Sequence, residues 1–158
     1  MILKRIIPCL LIQDGGLVKT TKFKDPIYVG DPINAVKIFS KKEADEIIVL
    51  DIEATKKKII NFELLEKIFS ESFVPITYGG GIGSLETAKK LINLGAEKIS
   101  FQNTYFEDKN LIKEMIKYFG SQAIVISIDI KKNIFGNYKI WNYKKKKFYK
   151  NENLNQII

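Results

Sequence analysis

Val74-Pro75-Ile76-Thr77-Tyr78-Gly79-Gly80-Gly81-Ile82-Gly83-Ser84-Leu85-Glu86 reads as a strand, a glycine turn and the start of a helix. Two readings of Gly80 and Gly81 stand side by side. Glycines let a backbone approach a ligand closely, and the free N–H groups that open a helix suit a phosphate. A tight strand-to-helix turn without a ligand would use the same residues. The segments on either side have to choose between them.

Upstream, Arg5 to Ile12 is continuously apolar, as expected of a parallel strand covered on both faces. Asp14 to Gly30 follows, holding Asp14-Gly15-Gly16, Lys19 and Phe23, and its length suggests a functional lid. Asp31-Pro32 then looks like a helix N-cap with proline at the first turn, and Ile33, Val36 and Phe39 form a helical stripe. A second strand, Glu46 to Ile52, ends at Asp51. A helix begins near Asn61 with Phe62, Leu65, Ile68 and Phe69 on one side.

Downstream, Ser84 caps a helix carrying Leu85, Ala88, Leu91 and Ile92, which Gly95 ends. Strand four is Lys98 to Phe101, continuing into Gln102-Asn103-Thr104. The next helix follows Asp108 with Leu111, Met115 and Ile116, and Gly120 stops it. Strand five spans Ala123 to Ile130 and holds Asp129. Tyr138 to Tyr143 and Phe148 to Lys150 look like a polar hairpin, and Asn153-Leu154 like the start of a further helix.

Strands and helices therefore alternate, the pattern of βα units in a parallel sheet. Right-handed crossovers place the C-terminal ends of all the strands on one rim. That rim gathers Leu11, Asp51, Gly80, Gly81, Gln102, Asn103 and Asp129. Barrels and open α/β sheets bind their ligands at this face, so the ligand reading of the glycine turn becomes the stronger one.

Composition narrows the chemistry. At 158 residues the chain is expected to be one domain, and 46% hydrophobic with 28% charged residues is a globular balance. Histidine is absent and Cys9 is the sole cysteine, so imidazole or thiol metal sites, Ser-His triads and disulfides are excluded. No metal and no cofactor are expected. The N-terminal Met1 to Ile12 is faintly like a signal peptide, but Pro8, Asp14 and the lack of a cleavage site favour a buried strand. With no segment of membrane-spanning length, a cytoplasmic protein without a membrane partner is expected.

The net charge of +8 is local. Residues 131 to 150 hold eight lysines and no acid, and the remainder of the chain is balanced. Lys144 to Lys147, flanked by Trp141, Tyr143, Phe148 and Tyr149, could grip a nucleic-acid backbone. An isolated lysine run is more often a solvated hairpin face, so no nucleic-acid partner is expected.

Several motifs in order carry a resemblance. They are Lys4-Arg5-Ile6-Ile7-Pro8-Cys9-Leu10, Asp14-Gly15, Val18-Lys19, Gly30-Asp31-Pro32, Leu50-Asp51-Ile52, Gly79-Gly80-Gly81-Ile82, Phe119-Gly120-Ser121-Gln122 and Ile128-Asp129. Together they resemble the cyclase subunit of imidazole glycerol phosphate synthase, colinearly from residue 1 to about 140. The resemblance implies a (βα)8 barrel paired with a glutaminase subunit, whose ammonia passes through the barrel into histidine biosynthesis. The family reaction closes an imidazole ring and releases imidazole glycerol phosphate and an aminoimidazole carboxamide ribonucleotide.

Residue roles come with the resemblance. Asp129 matches one of two catalytic aspartates, Gly81 a phosphate-binding glycine, and Lys19 the lysine of a mobile lid. Gly80, Gln102, Asn103 and Asp51 join the binding set for a phosphorylated ligand. Arg5, Glu46 and Lys98 match charged residues that gate ammonia entry at the barrel bottom. The second catalytic aspartate is replaced by Leu11, which cannot move a proton. The segment Leu10 to Thr20, with Lys22-Phe23-Lys24 and Asp31 to Val36, is closer to paralogues associated with surface-polysaccharide biosynthesis. There the barrel and glutaminase supply ammonia for amidation of a sugar.

Length is the other departure. A (βα)8 barrel takes about 250 residues and this chain has room for about five strands, so a partial, truncated or split barrel is expected. Strands one and five would then carry unpaired edges, and either a complementary barrel half or self-association would cover them. Three functions remain: ammonia delivery for sugar amidation, the ordinary cyclase step, or a non-catalytic phosphate-binding half-barrel.

Overall fold

A computed structural model describes residues 4–22, 24–142 and 145–149. Phe23, Tyr143, Lys144, Lys150 and the helix expected from Asn153-Leu154 lie outside the described residues. The chain runs β1 (Cys9–Gln13), β2 (Gly16–Thr21), β3 (Lys24–Gly30), α1 (Pro32–Lys41), β4 (Ile47–Asp51), α2 (Ala54–Lys57), α3 (Phe62–Ser70) and β5 (Ile76–Gly79). It continues α4 (Leu85–Leu94), β6 (Lys98–Phe101), α5 (Asn103–Glu107), α6 (Lys109–Phe119), β7 (Ile124–Ile126), β8 (Ile130–Lys132), β9 (Tyr138–Asn142) and β10 (Lys147–Phe148).

Among these residues a seven-stranded sheet has the order β3-β2-β1-β4-β5-β6-β7. Strands β1, β4, β5, β6 and β7 are mutually parallel. This is the α/β fold of a partial TIM barrel, as the alternation of elements predicts. Register is fixed by side-chain parity. Leu10, Ile12, Ile47, Val49, Ile76, Tyr78, Ile99 and Phe101 are buried against Val36, Leu65, Ile68, Phe69, Ala88, Leu91, Ile112 and Met115 of the helices. Most alternate positions are less covered: Cys9 is exposed and Leu11, Ile48, Leu50, Ser100 and Val125 are half-buried, while Thr77 and Gly79 of the central β5 are buried.

The helices start where local chemistry predicts. Asp31 accepts the Ile33 N–H at 3.1 Å with Pro32 in the first turn of α1, and the Ser84 hydroxyl accepts the Thr87 N–H at 3.1 Å to cap α4. Gly95 ends α4 at φ 119°, a conformation that suits glycine. In α6 Met115 is buried and Leu111 packs against the core as expected, Ile112 joins them, and Ile116 is exposed, which corrects that one position of the stripe.

Other expectations are corrected. The segment Asp14 to Gly30 is not an irregular lid but the hairpin β2–β3. Asp14 at φ 51° and Gly15 at φ 79° form a two-residue turn that pairs Gln13 with Gly16, the geometry an Asp-Gly step favours. Consequently β1 has no free edge: β2 pairs with it antiparallel, and the sheet ends at β3 and β7 instead. The first strand begins at Cys9 rather than Arg5. Strand five pairs only over Ile124–Ile126, because β6 ends at Phe101 and offers no ladder beyond it. Asp129 thus falls between β7 and β8. Gln102-Asn103-Thr104 leaves the sheet and enters the short helix α5. The hairpin near the end is a three-stranded sheet, β10-β9-β8.

No helix among the described residues is long and apolar enough to cross a membrane.

Candidate functional site

The predicted residues separate into two groups at opposite ends of the parallel strands. At the N-terminal end stand Arg5, Glu46 and Lys98, brought together as expected. Glu46 immediately precedes β4 and is only 5% exposed. Its Oε2 takes the Lys98 ammonium at 2.6 Å and lies 3.9 Å from the Arg5 guanidinium. Its Oε1 accepts the Thr77 hydroxyl at 2.5 Å. Burial alone would raise this carboxyl, but the Lys98 and Thr77 hydrogen bonds and the two cations outweigh it and hold it below the ordinary value.

Thr77 was not among the sequence-predicted residues. It sits within the quoted stretch, and its signal was parity: one polar residue on the same side of β5 as the Lys98 and Ser100 positions of β6. A buried carboxylate needs its lone pairs filled, and Thr77 fills one that the cations leave.

At the C-terminal end the glycine turn follows β5. Gly80 has φ 127° and Gly81 φ 69°, and a Cβ at Gly80 would run into the Asp51 carbonyl oxygen. At Gly81 it would lie 3.0 Å from Ala54 Cβ and 3.1 Å from Ile60 Cγ1. The bare backbone is therefore what lets β5 and the turn after β4 approach each other. Gly81 N–H donates to Thr55 Oγ1 at 3.1 Å, and the Thr104 hydroxyl donates to the Ile82 carbonyl at 3.1 Å.

Asp51 closes β4. Its Oδ1 accepts the N–H groups of Glu53 at 3.0 Å and Ala54 at 2.9 Å, which opens α2. Burial raises the carboxyl, and those two N–H bonds recover only part of the shift. Gln102 stands before α5 without a side-chain capping bond, and Asn103 is its first residue; both are half-buried. Lys19 is exposed on β2, opposite Ile27.

Leu11 and Asp129 occupy opposite flanks of the parallel strands. Leu11 is half-buried on β1, in register with Leu50 and Val18. Asp129 lies past β7, and its carbonyl accepts the Trp141 N–H at 2.8 Å. Asp51 and Asp129 are not adjacent, since β5 and β6 lie between their strands.

A rim network went unpredicted. Gln13 Nε2 donates to Glu53 Oε1 at 3.1 Å, and Lys57 pairs with Glu53 at 2.6 Å and with Asp14. Those hydrogen bonds raise the Lys57 ammonium above its ordinary value. The lysine ties the Asp14-Gly15 turn to α2. Among the described residues no three Cys, Asp or Glu side chains group to hold a metal.

Comparison with known proteins adds to this geometry. The family described as "Histidine biosynthesis protein" matches residues 5–155. "Putative imidazole glycerol phosphate synthase subunit hisF2" of Pseudomonas aeruginosa is 49% identical over 143 residues, covering 90% of this chain and 57% of that protein. "Putative imidazole glycerol phosphate synthase subunit hisF3" of Vibrio vulnificus is 46% identical over 138 residues, 87% and 53% of the two chains. "Imidazole glycerol phosphate synthase subunit HisF" of Methanocaldococcus jannaschii is 41% identical over 134 residues, 84% and 49%. The chain spans about half the length of the curated relatives it matches. With its parallel strands, its glycine turn and a match running through nearly all of its residues, the chain belongs to the histidine biosynthesis protein family, and the relatives it is similar to are named as subunits of imidazole glycerol phosphate synthase.

Proposed function

We propose that this chain forms the first five strands of a cyclase-like barrel that works with a glutaminase and delivers ammonia for amidation of a surface-polysaccharide sugar. The observation that carries the reading is Leu11. It holds the β1 position where the family resemblance places a catalytic aspartate, and its surroundings are apolar, with Leu50 and Val18 as its register neighbours. An alkyl side chain there removes one half of an acid–base pair and leaves Asp129 alone. Ring closure loses its proton carrier, while ammonia transfer needs only a path.

The N-terminal cluster supports such a path. Glu46 is held by Lys98 and Thr77, with Arg5 63% exposed beside it. An exposed arginine can swing away at little cost, whereas the buried pair keeps its place, so Arg5 is the moving part of the gate. At the other end, Gly80 and Gly81 let the backbone come close to a phosphorylated ligand, Gln102 and Asn103 supply amide donors, Lys19 on the hairpin supplies a cation, and Asp51 keeps the neighbouring turn in shape. The open edge at β7 is where the remaining strands of the barrel would pair, supplied by a complementary half or by a second copy.

The test supplies the purified protein with ammonium and the phosphoribulosyl substrate of the family's ring closure. Delivery predicts no imidazole glycerol phosphate above the uncatalysed rate, together with glutamine hydrolysis that rises on adding the glutaminase. Ordinary turnover despite Leu11 would establish the cyclase step instead and overturn the delivery reading.

A further inference from the structure

The Gly80–Gly81 turn is held on both sides by hydroxyls that the family resemblance does not assign. Thr55, the second residue of α2, accepts the Gly81 N–H at 3.1 Å. Thr104, the second residue of α5, donates to the Ile82 carbonyl at 3.1 Å. The two come from the connections after β4 and β6, the strands that flank β5. They therefore tie three neighbouring rim loops together through the backbone of the middle one.

Such a tie matters because of what it holds. Two successive glycines in left-handed conformations, φ 127° and 69°, are the part of the rim with the most conformational freedom to lose. A free glycine turn would have to be ordered when a ligand binds, at the expense of affinity. Ile82, only 5% exposed, anchors the far end of the turn in the core, so the hydroxyls fix the segment that burial does not.

The two hydroxyls are not equivalent. Thr104 spends its proton on the Ile82 carbonyl. Thr55 uses a lone pair, which leaves its proton to donate. Thr55 is exposed, so that proton is within reach of an arriving anion. A hydroxyl that accepts from a backbone N–H is also a better donor, because the two bonds polarise each other.

Resting on the phosphate reading of this turn, we propose that Thr55 is an additional phosphate ligand, passing the polarity of the Gly81 N–H to the anion, and that Thr104 is a positioning residue for the same turn. Both replacements used here keep the β-branched shape while deleting the hydroxyl.

The test titrates the isotope-labelled chain with inorganic phosphate and follows the amide signals of Gly81 and Gly83, with hydrogen exchange of the Gly81 amide as a second readout. Thr55→Val should weaken phosphate binding about tenfold and Thr104→Val about threefold, the range expected for a donor to a charged group and for a neutral positioning bond. Thr55→Ser, which keeps the hydroxyl, should bind within twofold of the parent. Gly81 exchange should quicken about tenfold in Thr55→Val alone. Equal or tighter phosphate binding in Thr55→Val would overturn the proposal, since the hydroxyl would then be a bystander or a competitor. Unchanged Gly81 exchange in that variant would overturn the tie itself. If the parent chain shows no saturable shift at the turn, the phosphate reading fails and the ligand role with it, whereas the exchange comparison still decides the tie.

Discussion

Replacing Lys98 with methionine isolates what the buried carboxylate of Glu46 contributes. Methionine keeps the length of the stem and removes the ammonium 2.6 Å from Glu46 Oε2. Deleting one partner of a fully buried pair costs about 3–5 kcal/mol. Two observations reduce that here: Thr77 still satisfies Oε1, and the Lys98 side chain is 23% exposed, so water reaches the vacated place. The distant Arg5, 3.9 Å away and mostly exposed, recovers little. The expected loss is about 2–3 kcal/mol near neutral pH. Its pH dependence is the sharper test. In the parent, the folded Glu46 carboxyl lies below its ordinary value, so its contribution is complete above that value and is lost as acid is added through the folded one. In the variant, burial is no longer outweighed and lifts the carboxyl above the ordinary value. The folded state then prefers the protonated acid, and stability falls as pH rises through the raised value. Urea unfolding of both proteins from about pH 4 to 8 should show a gap that is widest near pH 7 and narrows steadily toward pH 4. A gap that is constant with pH, or under about 1 kcal/mol at neutrality, would refute the assignment of Glu46 as a buried carboxylate that depends on Lys98.

Two further replacements probe the glycine turn and the strand beneath it. Tyr78 is fully buried with a hydroxyl that has no partner among the described residues, so Tyr78→Phe should leave stability unchanged or raise it by about 1 kcal/mol in thermal unfolding; a loss of that size would mean the hydroxyl is satisfied. Gly80→Ala places a Cβ against the Asp51 carbonyl in a backbone conformation that alanine avoids, and should cost about 3 kcal/mol or more, seen as a melting temperature lower by roughly 10 °C. A shift within a degree or two would show that the turn can relax away from β4.

The parts of the fold written in local chemistry were legible from the sequence. Asp31-Pro32, Ser84 and Gly95 marked helix ends correctly because a cap depends on three or four adjacent residues. Strand β6 was placed to the residue, since Lys98–Phe101 is bounded by a glycine-stopped helix before it and polar residues after it. What failed depended on partners. Asp14-Gly15 is a strong hairpin signal, yet the apolar content of the segment after it is thin, and only pairing with β1 turns Gly16–Thr21 into a strand. Strand five looked eight residues long because Val and Ile continue through it, but a strand ends where its neighbour does. At the site, Arg5, Glu46 and Lys98 are far apart in sequence and were grouped only by resemblance. Thr77, Thr55 and Thr104 were missed because a threonine carries no chemical signature until its hydroxyl is seen to meet a particular atom.

The uneven covering of the sheet's two sides explains why these residues sit where they do. On the helix side, the alternate residues of β1, β4, β5 and β6 are apolar groups at most 8% exposed until Asp51 closes β4, and a change among them is a change in packing. The other side holds Leu11, Ile48, Leu50, Thr77, Ser100 and Val125, with the Glu46 cluster at one end and the glycine turn at the other. A strand can serve both sides because its side chains alternate, so one register fixes at once which residues enter the helix-side core and which face the other side. Leucine at position 11 suits that arrangement. It falls on the half-buried side, where an alkyl group beside Leu50 adds packing instead of disturbing the helix layer. Among the described residues neither the Glu46 cluster nor the glycine turn draws a side-chain hydrogen bond from β1, so an alkyl group at position 11 leaves both structurally intact.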